Sequence, residues 1–310
     1  MHTPLPFQLN RNFCGVGNLK DQPLAVVGVP FDAATSYRSG ARMAPAAIRD
    51  ASLMLTDGCH ELWPVDLKNW VGDAGDWPVP NSNAQAAVTE IERCHRSLTQ
   101  KGHHLLCLGG DHLVTLGILR STFQQKGPVA LIHFDAHCDT WSDHFGEPMG
   151  HGTWLRNAVE EGLVCAPHSA SIGLRSPVDS ATRAWLSDQK ALAISARTAA
   201  NTPVTVMSDM IVCHMGRDLP VYVSLDIDCL DPAYAPGTGT PEIGGLTTMW
   251  LSYLLDVLFA NSNLQHRWAG MDIVEVSPAY DHSNITSLAA ASFAWQYLSM
   301  QSGLRSNNRA

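Results

Sequence analysis

The chain of 310 residues contains no apolar run that approaches the about 20 residues needed to cross a bilayer. Its first residues, MHTPLPFQLNRN, lack the basic start and the apolar stretch of a secretory signal. Basic residues are few: 20 Lys and Arg stand against 29 Asp and Glu, and the formal net charge is −9. Nucleic acid and anionic membranes require basic patches, so we expect neither as a partner. These absences predict a cytoplasmic protein.

The eight cysteines include no Cys-x-x-Cys pair. They are scattered along the chain, and several lie in apolar runs, where a free thiol behaves as a small hydrophobic group. This pattern favours a reducing compartment over a disulfide framework. Cys138 and Cys229 stand beside candidate functional residues but alternate to the opposite face, so we interpret both as packing residues.

The sequence shows no internal repeat, no low-complexity segment and no domain boundary. We therefore expect one domain over residues 1–310, with residues 1–23 as an N-terminal arm. Short apolar runs typical of strands alternate with helical patterns; the predicted strands are residues 24–29, 104–108, 129–134, 170–174, 191–194, 221–225 and 268–276. Repeated strand–helix units predict an α/β fold of three layers, α/β/α, with a mainly parallel sheet.

The first predicted helix begins near Pro45. The other predicted helices cover residues 83–100, 113–123, 154–162, 180–189, 247–259 and 284–300. Ser82 is available to cap the helix over 83–100, and His95 would lie at the edge of its apolar face. Gly303 is placed as the stop signal of the last helix. Residues 141–150 and 232–245 read as loops over a site at the strand ends.

Acidic and histidine side chains cluster directly after three of the predicted strands. His112 ends the run GGDH, the segment HFDAHCDT carries Asp135, His137 and Asp139, and SLDIDCLDP carries Asp226 and Asp228. Alternation along extended chain places residues at i, i+2 and i+4 on one side. Four carboxylates and two imidazoles at one point would repel each other without cations among them. The pattern predicts two divalent metal ions that share carboxylates.

Each cluster alone has a simpler interpretation. An Asp-x-Asp pair at a strand end often caps the following helix, and a lone histidine such as His112 is more often a core residue than a ligand. Ligand sites of parallel sheets, however, lie beyond the carboxyl ends of the strands. Three clusters at equivalent positions therefore favour a metal site.

These segments resemble the metal-binding motifs of the ureohydrolase family, which includes arginases, agmatinases, guanidinobutyrases and formiminoglutamases. The resemblance continues in GVPFDAATSYRSGARMAPAAIR, GHGTW and MDIVEVSPAYD, and it extends from about residue 25 to the C-terminal helix. It implies the arginase-like fold and a homo-oligomer, a trimer or a hexamer. It also implies that His112, Asp135, Asp139 and Asp226 hold one metal ion, and that His137, Asp135, Asp226 and Asp228 hold the other.

The resemblance further implies Mn²⁺ as the cofactor, two ions per subunit, with Ni²⁺ as the alternative in some agmatinase-like members. Carboxylate-rich coordination agrees with a hard ion such as Mn²⁺. His151, in GHGTW, matches the histidine that shuttles a proton to the departing amine, and Glu275, in MDIVEVSPAYD, matches the glutamate that holds the guanidinium. From spacing alone, His151 could equally cap a helix and Glu275 could form an ordinary salt bridge.

The implied reaction is hydrolysis of a guanidino compound to urea and an amine. LDPAYAPGTGTPE resembles the agmatinase branch, and Asp143 and Glu147 in the loop over the site would suit the distal ammonium of agmatine. The run from Tyr37 to Arg42 also resembles relatives that act on guanidino acids. Guanidinobutyrate, guanidinopropionate and free guanidine therefore remain alternatives. A non-catalytic protein that binds a guanidino ligand is the alternative from a different class.

Overall fold

The computed structural model describes residues 11–307, and within them eight strands form one sheet. The strands are β1 Leu24–Gly28, β2 Val71–Asp76, β3 His104–Leu108, β4 Ala130–Phe134, β5 Ala170–Leu174, β6 Leu192–Ser195, β7 Val221–Asp226 and β8 Trp268–Val274. Their order across the sheet is β2-β1-β3-β8-β7-β4-β5-β6, and all pairs are parallel. All the strands therefore end at the same edge of the sheet.

Side chains alternate along each strand between two hydrophobic cores. In β1, Leu24 and Val26 belong to one core, whereas Ala25 and Val27 belong to the other. The helices are α1 Ala44–Ser52, α2 Ala84–Thr99, α3 Val114–Lys126, α4 Trp154–Glu160, α5 Ser180–Asp188, α6 Ala196–Ala200, α7 Val204–His214, α8 Thr248–Ala260 and α9 Ile285–Asn307. Helices α1, α7, α8 and α9 pack in the first core, and α2, α3 and α4 in the second. The predicted three-layer α/β/α architecture is confirmed.

Two predicted helix boundaries are wrong. Helix α9 continues past Gly303 to Asn307. A Cβ atom on Gly303 would lie 2.9 Å from Trp63 Cδ1, so this glycine permits close packing inside the helix and does not end it. Helix α2 is capped by Asn83, whose side chain accepts a hydrogen bond from the Ala86 amide, and not by Ser82.

Strand β2 and helices α6 and α7 were not predicted. Strand β2 has the sequence VGDAGD, and glycine and aspartate are depleted in strands. It lies at the sheet edge, where buried Arg49 pairs with Asp73 at 2.8 Å and with Asp76 at 2.5 Å. This long-range ion pairing stabilises a strand that local propensity does not indicate.

Residues 11–23 pack against the domain. Phe13 and Val16 are fully buried, and the Phe13 amide donates to Asp73 Oδ2 at 2.9 Å. The first ten residues of the predicted N-terminal arm lie outside the described residues, and the single domain over 1–310 stays a prediction.

The state of the cysteines and the length of the apolar helices can be compared with the sequence-based expectations. All eight cysteines are free, and Cys138 and Cys229 are buried, as predicted for packing residues. Among the helices of residues 11–307, none is long and apolar enough to cross a membrane.

Candidate metal centre

The candidate residues meet at the carboxyl ends of four adjacent strands, β3, β8, β7 and β4. His112 lies between β3 and α3, whereas Asp135, His137 and Asp139 follow β4. Asp226 ends β7, Asp228 lies in the short 3₁₀ turn that follows, and Glu275 comes directly after β8. The parallel sheet therefore brings together side chains that are separated by up to about 160 residues, as between His112 and Glu275.

His112 faces three carboxylates at once. Its Nδ1 atom lies 3.2 Å from Asp135 Oδ2, 3.2 Å from Asp139 Oδ2 and 3.1 Å from Asp226 Oδ2. One imidazole nitrogen carries at most one proton, so it cannot satisfy three buried oxygens. A cation can, and one nitrogen with three carboxylate oxygens is a suitable donor set for a divalent metal ion.

A second donor group lies beside the first. His137 Nδ1 is 3.0 Å from Asp228 Oδ2 and 3.3 Å from Asp135 Oδ1. Asp135 thus presents one oxygen to His112 and the other to His137, which is the arrangement of a bridging carboxylate. Asp226 directs Oδ2 towards His112, while its Oδ1 accepts a hydrogen bond from the Asp228 amide at 2.8 Å. Bridging by Asp226 stays a prediction.

The electrostatics of this cluster also fit bound cations. Burial, the Asp228 carboxylate and the Asp135 carboxylate raise the pKa of Asp226 well above its usual range. Burial alone would lower the pKa of His112, but hydrogen bonds with Asp135, Asp139 and Asp226 raise it well above 6.5. Both shifts indicate excess buried negative charge, which divalent cations would neutralise.

Hydrogen bonds outside the cluster fix the orientation of its histidines. Ser224 Oγ donates to Asp272 Oδ1 at 2.7 Å and lies 2.9 Å from His112 Nε2, so it accepts the Nε2 proton. The lone pair of His112 Nδ1 therefore faces the carboxylates. His133 could geometrically belong to the first donor group. However, its Nε2 lies 2.8 Å from Asp135 Oδ2 and its Nδ1 lies 3.1 Å from Ser171 Oγ, so we assign it to the orientation of Asp135.

Sequence reasoning missed two residues at this site. Trp154 donates through Nε1 to Asp139 Oδ2 at 2.6 Å, and its ring stacks on His112 at 4.6 Å between centroids. Ser224 selects the His112 tautomer, as described above. Both stand in the quoted motifs, GHGTW and SLDIDCLDP, but only the folded chain shows what they contact.

Three further aspartates near the cluster have specific hydrogen-bond partners. Asp272 accepts from Thr115, Tyr222 and Ser224 and therefore stabilises the residues behind His112. Asp111 accepts from the Ala34 and Leu113 amides. Asp231 accepts from the amides of Ala233, Gly244 and Gly245 and anchors the loop over 232–245.

Glu275 is a buried carboxylate of which one oxygen has hydrogen-bond partners. Its Oε1 accepts from the His112 amide at 2.8 Å and lies 2.9 Å from His151 Nδ1. Its Oε2 is buried and has no hydrogen-bond partner in the part of the chain that the structure describes. Its backbone has φ +63°, a left-handed conformation that costs about 1–3 kcal/mol for a residue with a side chain. Such a strained, partly unsatisfied residue is typical of a binding site.

His151 lies between Glu275 and the loop that follows β1. Its Nε2 is 2.7 Å from Ser36 Oγ, and the Ser36 amide donates to the same nitrogen at 3.1 Å. Burial alone would lower the pKa of His151, but the charge and hydrogen bond of Glu275 raise it to about 9.

A small cavity of about 170 Å³ opens onto this cluster. Its lining residues are Ser36, His137, Asp139, Trp141, His144, His151, Gly152, Ser176, Asp226 and Thr240. His144 is thus part of the cavity wall. Asp143 and Glu147 do not line the cavity: both are exposed, and Asp143 accepts from the Gly146 amide within the turn. The structure therefore does not support the expected contact of these two acids with a substrate ammonium, which stays a prediction.

Comparison with known proteins assigns the family. Residues 22–299 match the model of the arginase family. The chain belongs to the arginase family. The agmatinase of Serratia proteamaculans is 40% identical over 284 residues, which cover 91% of this chain and 88% of that protein. The agmatinase of Cronobacter sakazakii is 41% identical over the same shares of the two chains.

Two solved structures have the same fold. A hypothetical agmatinase from Burkholderia thailandensis superimposes with a TM-score of 0.85 at 34% identity, over 96% of this chain and 92% of that one. Proclavaminate amidino hydrolase from Streptomyces clavuligerus gives 0.87 at 33% identity, over 97% and 100%. The arginase-family protein is thus a ureohydrolase enzyme. The family implies a binuclear divalent metal centre and a small guanidino substrate, and the His/Asp cluster agrees with such a centre.

Proposed function

We propose that this ureohydrolase hydrolyses agmatine to urea and putrescine at a binuclear manganese centre. The observation that carries the proposal is the Oε2 atom of Glu275, a buried carboxylate oxygen without a partner among residues 11–307. A buried anionic acceptor is costly unless a donor reaches it. A guanidinium can supply charge-assisted N–H donors to a carboxylate, and Glu275 lies beside the metal-binding cluster.

The proposed metal ligands are the six residues of the cluster. His112, Asp135, Asp139 and Asp226 would hold one ion, and His137, Asp135, Asp226 and Asp228 the other. Divalent ions bound there supply activation of the attacking water. The carboxylate-rich donor set favours Mn²⁺, with Ni²⁺ as the alternative that the imidazoles also allow.

Glu275 and His151 would perform the remaining steps. Glu275 holds the guanidinium so that its carbon faces the cluster, which lowers the entropic cost of the reaction. His151 gives a proton to the departing amine, because an amine leaves far more readily than its anion. Burial of both side chains, at 1% and 8% exposure, keeps this proton transfer away from bulk water.

The cavity wall supports agmatine among the guanidino compounds. No Lys or Arg of the described chain lines the cavity, so a substrate carboxylate would find no cation there. Arg42 is paired with Asp32, and Arg38 stacks 5.1 Å from the rings of Tyr37 and Tyr280. Trp141 lines the cavity, and its ring would accept a distal ammonium through a cation–π contact. The relatives named agmatinase, at about 40% identity, support the same substrate.

A guanidino acid is the second candidate. The Streptomyces clavuligerus protein shares the fold but is named for proclavaminate, so the fold alone does not select the substrate. Hydrolysis of guanidinobutyrate, guanidinopropionate or free guanidine would use the same cluster, with different contacts at the cavity entrance.

The test is urea release by Mn²⁺-loaded protein, with Ni²⁺ loading in parallel. Agmatine and 4-guanidinobutyrate form a matched pair, because they differ mainly in a distal ammonium or carboxylate; arginine, 3-guanidinopropionate and guanidine complete the series. We expect the highest kcat/KM for agmatine. Preference for a guanidino acid would contradict the substrate assignment but retain the chemistry. If the protein binds both ions but releases urea from none of these compounds, the result would favour a non-catalytic protein that binds a guanidino ligand.

We further propose a cytoplasmic homo-oligomer, a trimer or a hexamer. Several large apolar side chains near α8 are exposed, among them Met249 at 79% and Tyr253 at 53%, and a hollow of about 560 Å³ lies between α8 and α9. Apolar surface of this kind is typical of contact sites between proteins. Sedimentation analysis of the metal-loaded protein measures the assembly, and a monomer at micromolar concentration would contradict it.

A further inference from the structure

Ser36 belongs to a loop that is fixed against the metal site. Asp32 Oδ2 accepts from the Gly40 amide at 2.8 Å, which closes the loop over residues 32–40. Asp111 Oδ2 accepts from the Ala34 amide at 2.9 Å, and the His151 amide donates to the Ala34 carbonyl at 3.1 Å. These bonds connect the loop both to the run that carries His112 and to the turn that carries His151. The position of Ser36 is therefore set by the same elements that build the site.

Both ring nitrogens of His151 have partners in the protein. Nδ1 lies 2.9 Å from Glu275 Oε1, and Nε2 lies 2.7 Å from Ser36 Oγ. A carboxylate holds a proton on Nδ1, so proton gain and loss occur at Nε2. The partner there is a hydroxyl, which donates to the neutral ring and accepts from the protonated ring. The Ser36 amide also donates to Nε2 at 3.1 Å, so the arrangement in the structure is that of a ring without a proton on Nε2, and this amide contact must open when Nε2 is protonated.

Ser36 also faces the cavity. Ser36 is exposed and lines the cavity together with Asp139 and His151, whereas His151 is only 8% exposed. We propose that the Ser36 hydroxyl carries the proton between His151 and the departing amine. This inference rests on the proposed function, in which His151 supplies that proton.

The step balances as a concerted double transfer. The bond between the central carbon and the leaving nitrogen breaks, and its electron pair goes to that nitrogen. An oxygen lone pair forms the urea carbonyl as the proton of the central hydroxyl passes to solvent. The Ser36 O–H proton moves to the same nitrogen while the Nε2 proton of His151 replaces it on Oγ. His151 begins as imidazolium and ends neutral, with the Nδ1 proton still facing Glu275. The proton that the attacking water loses returns to Nε2 through the same hydroxyl.

Three substitutions test the relay with the Mn²⁺-loaded enzyme. Ser36→Ala should lower kcat at least about tenfold with little change in KM, because it removes one part of a general-acid pathway. Ser36→Thr keeps a hydroxyl and should restore most of kcat. Ser39→Ala, at an exposed serine in the same loop, is the matched control and should equal the unsubstituted enzyme. A Ser36→Ala variant within twofold of the unsubstituted kcat, or a threonine variant as slow as alanine, would overturn the relay.

A double substitution separates relay from general disturbance. In the His151→Ala background, adding Ser36→Ala should change kcat by less than about twofold, since both changes remove one pathway. A full additional loss would show that Ser36 acts independently of His151 and would overturn the proposal. Dependence of kcat on the deuterium fraction of the solvent should be curved for two moving protons and should become linear in Ser36→Ala.

A spectroscopic measurement is independent of turnover. In histidine-¹⁵N-labelled, Zn²⁺-loaded protein, the His151 Nε2 resonance, identified by its loss in His151→Ala, should shift in Ser36→Ala and stay in Ser36→Thr. An unchanged resonance in Ser36→Ala would show that Ser36 forms no hydrogen bond with Nε2 and would overturn the relay. If the resonance shifts but agmatine yields no urea, the substrate assignment fails, and the kinetic tests move to the guanidino compound that is hydrolysed. If none is hydrolysed, the proposed function and the relay both fail.

Discussion

The Nε2 atom of His112 lies 2.9 Å from Ser224 Oγ, and this contact sets which ring nitrogen of His112 faces the carboxylates. Ser224 donates its own proton to Asp272 and can only accept from the imidazole. Nδ1 is left with a lone pair for a cation. Hydrogen bonds of this kind to metal-binding histidines contribute substantially to the affinity for the metal ion.

Removal of that contact should weaken metal binding. We expect Ser224→Ala to raise the dissociation constant for Mn²⁺ about 10- to 100-fold, because the His112 ring loses its fixed tautomer. Equilibrium dialysis measures the constant. Ser299→Ala is the control, since Ser299 is also a buried serine but its hydroxyl has no hydrogen-bond partner among residues 11–307. Unchanged affinity in Ser224→Ala would contradict the assigned tautomer.

Glu275→Gln should separate substrate binding from metal binding. The amide retains the size of the carboxylate but loses its charge, so kcat/KM for agmatine should fall about 10- to 150-fold, the equivalent of about 1.5–3 kcal/mol. Bound metal per chain, measured by plasma emission spectrometry, should not change. Glu161→Gln, which breaks a surface pair with Arg120, should have no effect on either quantity. Loss of metal in Glu275→Gln would assign the residue to the ligands.

The two exposed acids of the loop over 141–150 should be dispensable. Asp143→Asn and Glu147→Gln should leave KM for agmatine within about twofold, because neither side chain lines the cavity and surface charges contribute little. Initial-rate kinetics on both variants provide the measurement. A tenfold rise in KM would show that the loop closes over bound substrate and brings these acids into contact with it.

The metal cluster and most strands could be predicted from the sequence, whereas the supporting contacts could not. The motifs around His112, Asp135 and Asp226 follow apolar runs, and a parallel sheet places such positions together whatever the details of packing. Strand β2 depends on the pairing of Arg49 with Asp73. These two residues are 24 positions apart in the sequence, so the local propensity of the strand does not reveal their contact. The exposure of Asp143 and the passage of α9 through Gly303 likewise follow from tertiary packing.

Buried His95 should make stability depend on pH in the acidic range. Its Nδ1 lies 2.8 Å from Ser121 Oγ, and burial lowers its pKa to about 3. In the unfolded chain its pKa is about 6.5. Between these values the unfolded state binds more protons, so stability falls as pH falls from 6.5 towards 3, by up to about 1.4 kcal/mol per pH unit from this residue.

Urea unfolding at pH 7.5 and pH 5.5 measures this contribution. His95→Asn should reduce the loss of unfolding free energy between the two pH values, although it lowers stability at pH 7.5 through lost packing. His266→Asn, at an exposed histidine, should leave the pH dependence unchanged. An equal pH dependence in His95→Asn and the unsubstituted protein would contradict the assignment of this effect to His95.

Asp135 offers the most direct test of a binuclear centre, because its Oδ2 faces His112 and its Oδ1 faces His137. The measurement is Mn²⁺ stoichiometry by equilibrium dialysis, with urea release from agmatine recorded on the same samples. We predict two ions per chain and urea release in the unsubstituted protein and in the Asp143→Asn control. In Asp135→Asn we predict that the two-ion stoichiometry and the urea release are both lost. Two ions and normal urea release in Asp135→Asn would contradict the account.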